Sequence, residues 1–113
     1  MLPREYRLRR STEFAAVVRS GVCARRGHLV LHRQAGFSRG LPAVGLVVGK
    51  SVGGSVVRHR VSRRLRAQLA WRLNALPPGS GIVVRALPSA ARATSAELGA
   101  DLDAALSGLA RRP

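Results

Sequence analysis

The sequence is poor in acidic side chains, and their positions along the chain are as informative as their number. The 113 residues contain five Asp and Glu against twenty Lys and Arg, for a formal net charge of +15. No acid lies between Glu13 and Glu97, whereas that stretch holds thirteen arginines and Lys50, a formal charge of +14. This absence excludes chemistry based on paired carboxylates or on carboxylate-bound magnesium from the middle of the chain.

Cysteine and long apolar runs are scarce as well. Cys23 is the single cysteine, so no disulfide forms within the chain, and an unpaired thiol is typical of a reducing compartment. No apolar run approaches the roughly 18 residues of a membrane span, and the first ten residues lack the apolar core of a signal peptide. We therefore expect a cytoplasmic protein.

The apolar residues that are present predict one α+β domain over residues 1–113. Helices are predicted over 11–20, 55–76 and 94–110, and strands over 28–33, 43–49 and 81–86. The order is α-β-β-α-β-α, and packing the helices on the sheet gives a two-layer α/β sandwich. Arg25 and Arg26 fall in a predicted basic loop between the first helix and the first strand.

Local signals predict where the helices begin and end. Ser11 is expected to cap the first helix, and Gly21 to end it. Prolines at 77 and 78 stop the second helix. Thr94 and Glu97 match a capping box at the start of the third helix.

A domain with this charge attracts polyanions, and nucleic acid is the partner we expect. Codon drift in a GC-rich genome would favour arginine over lysine, but it would not remove acids from the middle of the chain. A membrane-surface protein needs one long amphipathic basic helix with bulky apolar residues opposite. The only candidate helix here lies between predicted strands, which favours nucleic acid over a membrane.

The second predicted helix carries the strongest signal. At about 100° per residue, a Val/Leu stripe occupies one face, and basic groups occupy the opposite face. That basic face comprises His59, Arg60, Arg63 and Arg66, with Arg64 beside it and Arg58 reaching out from the first turn. Like charges three or four residues apart repel by about 0.2–0.5 kcal/mol each, and no acid offsets them as on an ordinary solvated helix. Phosphates would remove the repulsion, because guanidinium groups bind them bidentately.

The same segment resembles a known family. Residues 50–66, KSVGGSVVRHRVSRRLR, are similar to K-K-x-G-N-A-V-x-R-N-R-x-K-R-x-x-R, the signature of the bacterial ribonuclease P protein component. Residues 7–21, RLRRSTEFAAVVRSG, resemble the opening motif of that family. Together with the 28–33 strand and the element order, the resemblance covers nearly the whole chain.

The resemblance implies a subunit of a ribonucleoprotein endoribonuclease that removes the 5′ leader of precursor tRNA. Its RNA subunit carries the Mg²⁺ ions and the catalysis, so the protein would supply no catalytic residue, no metal ligand and no cofactor site. The implied partners are the ribonuclease P RNA and precursor tRNA, without DNA or membrane. The implied fold is a ribosomal-protein-like sandwich with a left-handed β-α-β crossover, whereas general rules predict a right-handed one.

Two sets of site residues carry over by motif position. The set expected to bind the RNA subunit is Lys50, Arg58, His59, Arg60, Arg63, Arg64 and Arg66. The set expected to line a cleft for the single-stranded leader, between the sheet and the first helix, is Phe14, Val18, Val30, His32, Val47 and Arg66.

Several positions depart from the family pattern. They are Gly54 and His59, where Asn is usual, Ser62, where a basic residue is usual, and Val18 and His32, where aromatics are common. Stacking on aromatics contributes about 1–3 kcal/mol per base, so we expect leader binding to rely more on charge in this chain. Trp71 is expected to pack in the core rather than to contact RNA.

Other interpretations of the composition remain. A structural RNA-binding protein of the ribosome, without enzymatic role, fits the size and charge equally well, and only the arginine motif argues against it. Nonspecific DNA compaction is a third candidate. A nucleotide-binding loop at 45–51 fails because three residues, not four, separate its glycines. Cys23, His28 and His32 offer too few ligands for a zinc site.

Overall fold

The computed structural model describes residues 4–8, 10–19, 22–37 and 40–110. Its helices and strands are α1 (Ser11–Arg19), β1 (Val22–Arg26), β2 (Leu29–Gln34), β3 (Ala43–Val47), α2 (Ser55–Ala70), β4 (Gly81–Ala86) and α3 (Ser95–Ala110). Short 3₁₀ turns lie at Arg4–Tyr6, Leu73–Ala75 and Pro88–Arg92. The predicted α+β class is confirmed, and no helix among these residues is long and apolar enough to cross a membrane.

The four strands form one sheet in the order β1-β2-β4-β3. β1 pairs antiparallel with β2, and β2 pairs antiparallel with β4. β3 pairs parallel with β4, so α2 serves as the crossover of a β-α-β unit, as the resemblance implied. The hand of that crossover stays a prediction.

β1 was missing from the predicted order, which had one strand too few. Arg25 and Arg26 lie in this strand rather than in a loop, and Arg26 pairs with Leu29 across a two-residue turn. Gly27 in that turn has φ 55°, a conformation that glycine adopts without strain. The turn is also stabilised by α3, because the Asp101 carboxylate accepts a hydrogen bond from the His28 N–H at 2.9 Å.

Helices lie on both faces of the sheet. The main core lies between α2, α3 and one face of the sheet, and its largest fully buried members are Leu29, Leu31, Val44, Val61, Leu65, Leu69, Ile82, Leu98, Leu102 and Leu109. On the other face a smaller cluster joins Val17 of α1 to Val83 of β4 and to Leu8. α1 therefore covers part of that sheet face.

The helix ends differ from the predictions at two points. The Arg10 carbonyl accepts the first helical bonds of α1, from the N–H groups of Glu13 and Phe14, so Arg10 rather than Ser11 is the cap. Gly21, predicted to end that helix, lies outside the described residues. α2 ends at Ala70, six residues before the predicted end at residue 76.

The ends of α2 and α3 have clear physical causes. The Arg72 guanidinium donates to the Gln68 carbonyl at 2.7 Å, which satisfies an acceptor at the end of α2. The predicted capping box of α3 is confirmed, because the Glu97 carboxylate accepts from the Thr94 N–H at 2.8 Å and the Glu97 N–H donates to the Thr94 hydroxyl at 3.1 Å. These bonds lower the pKa of the Glu97 carboxyl.

Candidate nucleic-acid interface

α2 presents basic side chains to solvent because its apolar stripe is buried. Val61, Leu65 and Leu69 are fully buried under the helix. His59, Arg63 and Arg66 are exposed, as predicted, and Lys50 is exposed in the turn before the helix. His59 and Arg63 help to line a shallow groove along the first half of α2. No acid lies on the helix to neutralise this surface.

Arg60 and Arg64 differ from the other basic residues of α2. Both are half-buried, and each donates a hydrogen bond to the segment that follows β4. Arg60 Nη2 lies 3.1 Å from the Ala91 carbonyl oxygen, and Arg64 Nη1 lies 2.7 Å from that of Ala93. Arg60 lines the groove with His59 and Arg63, as its place on the helix predicts, but its guanidinium also turns sideways and donates to the Pro88–Arg92 turn.

Arg58 is half-buried as well, in the first turn of α2. The Nε atoms of Arg58 and Arg60 are buried without a hydrogen-bond partner among the described residues. A guanidinium has five N–H donors, so the ties to carbonyl groups leave donors on these arginines for phosphate oxygens. The exposed and the half-buried arginines together form one basic surface, which we call the α2 surface.

The open face of the sheet, beside α1, carries side chains in two rows set by the strand register. One row holds Cys23, His32, Val83 and Gly45. The next row holds Arg25, Val30, Arg85 and Val47. Arg25 and Arg85 are exposed and flank Val30, which is 7% exposed. We call the two rows, together with the adjoining side chains of α1, the sheet-face cleft.

α1 supplies the wall of this cleft. The Phe14 ring lies against Gly45, where a Cβ atom would collide with it. Phe14 and Val47 pack on the cluster around Val83, while Val18 is 40% exposed on the outer side of α1. The structure therefore brings Phe14, Val30, His32 and Val47 onto one face, and Val18 stands at its margin.

Arg66 lies where the α2 surface reaches the edge of the sheet. It lines a groove with Arg7, Leu8 and residues 44–46 of β3. The N-terminal segment covers this edge. Arg7 forms an isolated parallel β-bridge with Val44, and the Leu8 N–H donates to the Val44 carbonyl at 2.9 Å. Arg66 thus belongs to the rim between the α2 surface and the strand at the edge of the cleft.

His32 is the titratable group inside the cleft. It is half-buried, and its Nε2 atom is buried without a hydrogen-bond partner among the described residues. Burial, and then the positive charge of Arg85, lowers the pKa of the imidazole below its usual value. The ring is therefore held neutral in the free protein over a wider pH range, with an unused polar atom.

Two cleft arginines were missed by sequence reasoning. Arg25 was placed in a loop, and Arg85 in the third predicted strand was not assigned to a site. A signal for Arg85 was available, since it is the single charged residue in the otherwise apolar strand Gly81–Ala86. Arg25 could not be assigned without the pairing of β1 with β2.

Trp71 and His28 also lie differently from the predictions or outside any site. Trp71 is 86% exposed, so the prediction of core packing is wrong. His28 is in the turn before β2, with its Nδ1 2.8 Å from the Ser89 hydroxyl, and does not share a strand face with His32. Among the described residues, no group of three or more His, Cys, Asp or Glu side chains is placed to hold a metal ion.

Comparison with known proteins identifies the family. The family model for ribonuclease P matches residues 2–110. The ribonuclease P protein component of Beutenbergia cavernae is 51% identical over 112 residues, covering 99% of this chain and 94% of the relative. The chain belongs to the ribonuclease P protein family. The Streptomyces bikiniensis ribonuclease P protein component is also 51% identical, over 96% of this chain and 95% of its own length.

Solved structures of ribonuclease P proteins share the fold. The Staphylococcus aureus protein superposes with a TM-score of 0.80 at 19% identity, covering 94% of this chain and 95% of that one. The Thermotoga maritima protein gives a TM-score of 0.77 at 21% identity, covering 95% of this chain and 97% of that one.

Family membership decides between the interpretations of the composition. The chain is a protein subunit of ribonuclease P, a ribonucleoprotein endoribonuclease of tRNA processing, and an RNA is its partner in the holoenzyme. The ribosomal-protein interpretation finds no support among these relatives.

Proposed function

We propose that this subunit binds the ribonuclease P RNA through the α2 surface and holds the single-stranded 5′ leader of precursor tRNA in the sheet-face cleft. The observation that carries the proposal is the presence of two separate basic surfaces on one small fold. One is the exposed face of α2, and the other is the strand face beside α1 that carries Arg25 and Arg85. Arg66 lies at the rim where they meet.

The α2 surface suits a large folded RNA. Its contacts would be made by Lys50, Arg58, His59, Arg60, Arg63, Arg64 and Arg66. The exposed members project from a rigid helix whose opposite face is fully buried, so their spacing is fixed before binding. Phosphates seated on them would replace repulsion between arginines by charge-assisted hydrogen bonds.

The sheet-face cleft suits a single strand. Its floor at Val30 is apolar, and the exposed Arg25 and Arg85 on either side can pair with backbone phosphates. Phe14 and His32 supply rings on which a base can stack. Val18, Val47 and Arg66 complete the predicted set around this floor.

The proposal leaves Mg²⁺ to the RNA and gives the protein no catalytic residue. Protein sites for Mg²⁺ are built from carboxylate oxygens, and neither α2 nor any of the four strands contains an acid. The protein would raise affinity and orient the substrate, while the RNA performs the cleavage. The unpaired Cys23 is in keeping with assembly of the holoenzyme in the cytoplasm.

The test is reconstitution with ribonuclease P RNA and two ligands, leader-bearing precursor tRNA and mature tRNA, at limiting Mg²⁺. We expect the protein to tighten binding of the precursor far more than that of mature tRNA, and the protein alone to cleave neither. Equal tightening of both ligands would overturn the role of the cleft.

Paired variants separate the two surfaces. Exchange of both Arg25 and Arg85 for Gln should reduce the preference for the precursor and leave binding of the ribonuclease P RNA unchanged. Arg63→Gln should weaken binding of the ribonuclease P RNA and leave the preference for the precursor unchanged. The same loss in both variants would show that the two surfaces do not act separately.

A further inference from the structure

Trp71 is an exposed aromatic side chain that the proposed contacts do not use. It is the single tryptophan of the chain, it follows the last residue of α2, and 86% of it is accessible to solvent. Tryptophan normally buries most of its large surface, so an indole left this open is available for a partner.

The surroundings of the indole are rigid and polar. Trp71 lines a shallow groove between α2 and α3 with Gln68, Arg72 and Asp103. Arg72 Nε lies 2.7 Å from Asp103 Oδ1, and Arg72 Nη1 lies 2.9 Å from Gln68 Oε1. These contacts fix the groove without engaging the indole.

We infer that Trp71 stacks on an unpaired nucleobase of the ribonuclease P RNA. This inference rests on the proposed function, because it extends the α2 surface. At 100° per residue, Trp71 continues the row of Arg60 and Arg64 to within about 20°, and it lies about 10 Å beyond Arg64 along the helix axis. Because Arg60 also lines the groove of His59 and Arg63, an RNA bound to the α2 surface would extend to this row, and Trp71 lies at the far end of the row.

The chemistry of the groove favours a base over a phosphate. The Asp103 side chain is 64% exposed, so it repels a phosphate, whereas its oxygens can accept a hydrogen bond from the amino group of a base. Every base has a flat face that stacks on an aromatic ring, and unpaired bases in RNA are bound in this way.

Charge complementarity argues against other occupants of the groove. α2 contains no acid, and the chain carries a net charge of +15, which disfavours a second copy and favours a polyanion. The other large apolar side chains that are exposed among the described residues are Val18, Leu41 and Val56. None lies beside Trp71 in the groove, so no broad apolar patch is present for a membrane.

The test uses the fluorescence of the full chain excited at the red edge of the indole absorption band, where Trp71, the single tryptophan, absorbs and Tyr6 does not. Addition of ribonuclease P RNA should quench the emission and protect the indole from acrylamide. Trp71→Ala should weaken RNA binding roughly tenfold, with the slope of log affinity against log salt unchanged, because stacking releases no counterions. Trp71→Phe should restore most of the affinity.

Leu41→Ala is the matched control, since Leu41 is an apolar side chain that is 45% exposed before β3 and lines neither groove of α2. It should change affinity less than twofold, and the unfolding midpoints of all three variants should match that of the parent chain. Parent affinity in Trp71→Ala would overturn the inference. A blue shift with anionic phospholipid vesicles, or an oligomer that Trp71→Ala dissociates, would assign the indole to a membrane or to a second copy instead.

Failure of the proposed function would look different. In that case the parent chain would bind ribonuclease P RNA no better than an unrelated folded RNA. If the parent chain binds that RNA specifically and Arg63→Gln lowers the salt slope while Trp71→Ala has no effect, only the stacking inference fails.

Discussion

The Arg64 guanidinium donates a 2.7 Å hydrogen bond to the backbone carbonyl oxygen of Ala93, just before α3 begins. Arg60, one turn earlier on α2, makes the equivalent bond to Ala91. Two arginines of the 50–66 motif thus hold the connection between β4 and α3. Part of the motif acts on the fold, and through it on the shape of the α2 surface.

Arg64→Lys tests this structural role. Lysine keeps the charge but lacks the planar fork, so the hydrogen bond to the Ala93 carbonyl is broken and the free energy of unfolding should fall by about 1 kcal/mol. Urea denaturation measures this change. Arg63→Lys, at an exposed position of the same helix, should leave the unfolding midpoint unchanged. Equal unfolding midpoints for both variants would show that the hydrogen bond from Arg64 to the Ala93 carbonyl does not stabilise the fold.

Removal of the exposed arginines should act on RNA affinity and its salt dependence rather than on stability. Each RNA phosphate that Arg63→Gln or Arg66→Gln leaves without its guanidinium should lower the slope of log affinity against log salt by about 0.7 to 0.9. Titration of ribonuclease P RNA at several salt concentrations measures the slope. The triple variant that also exchanges Arg60 should lower it further and in addition destabilise the fold. An unchanged slope would show that the RNA phosphates bind at other residues.

Gly45→Ala tests the wall of the sheet-face cleft. The added methyl group would occupy the space of the Phe14 ring, so the ring must move away from β3. Overpacking of this kind destabilises by about 1–3 kcal/mol. We expect the preference for leader-bearing precursor over mature tRNA to fall, as it should in Phe14→Ala, with RNA-subunit binding retained. Competition binding with the two tRNAs is the measurement, and an equal loss of both activities would refute separate surfaces.

His32 should make stability depend on pH on the acid side of neutrality. Burial and Arg85 lower the pKa of its imidazole in the folded chain, so below about pH 6.5 the unfolded chain binds more protons than the folded chain. The free energy of unfolding is therefore not reduced by His32 above that pH. It declines as the pH falls toward the folded-state pKa of His32, and below that pKa the reduction stays constant. Urea unfolding from about pH 8 to about pH 5 should show this decline in the parent chain and a smaller one in His32→Gln.

A phosphate of the leader should reverse the effect on His32. A negative charge beside the imidazole favours its protonated form, so leader binding should take up a proton below about pH 6.5. Calorimetry in two buffers of different ionisation enthalpy counts that proton. The same uptake in His32→Gln would place the titrating group outside the cleft.

Much of the fold follows from local sequence patterns. The third predicted strand matches β4 at both ends, and the stripe Val61, Leu65 and Leu69 is buried as its spacing predicts. β1 was not predicted from the sequence, because its residues, VCARR, show no clear alternation of apolar and polar side chains. Its turn is held partly by Asp101, which lies 73 residues beyond His28 in the chain.

The site was predictable where exposure follows helix geometry, and not where it depends on distant segments. His59, Arg63 and Arg66 face solvent as their positions on the helix require. The sideways turn of Arg60 depends on the turn at Pro88–Arg92, which no helical pattern reveals. The exposure of Trp71 could have been predicted, since Trp71 lies on the Arg60–Arg64 row of the helix rather than on the apolar stripe.

The strand order has a consequence for synthesis of the chain. β4 is the last strand to be translated, yet it lies between β2 and β3 and pairs with both. While the ribosome is still making residues 81–86, β3 has no neighbouring strand to join and α2 has no finished sheet to cover. The edges of β2 and β3 that pair with β4 therefore stay unpaired until β4 is made, and α2, the most basic helix, is translated before it.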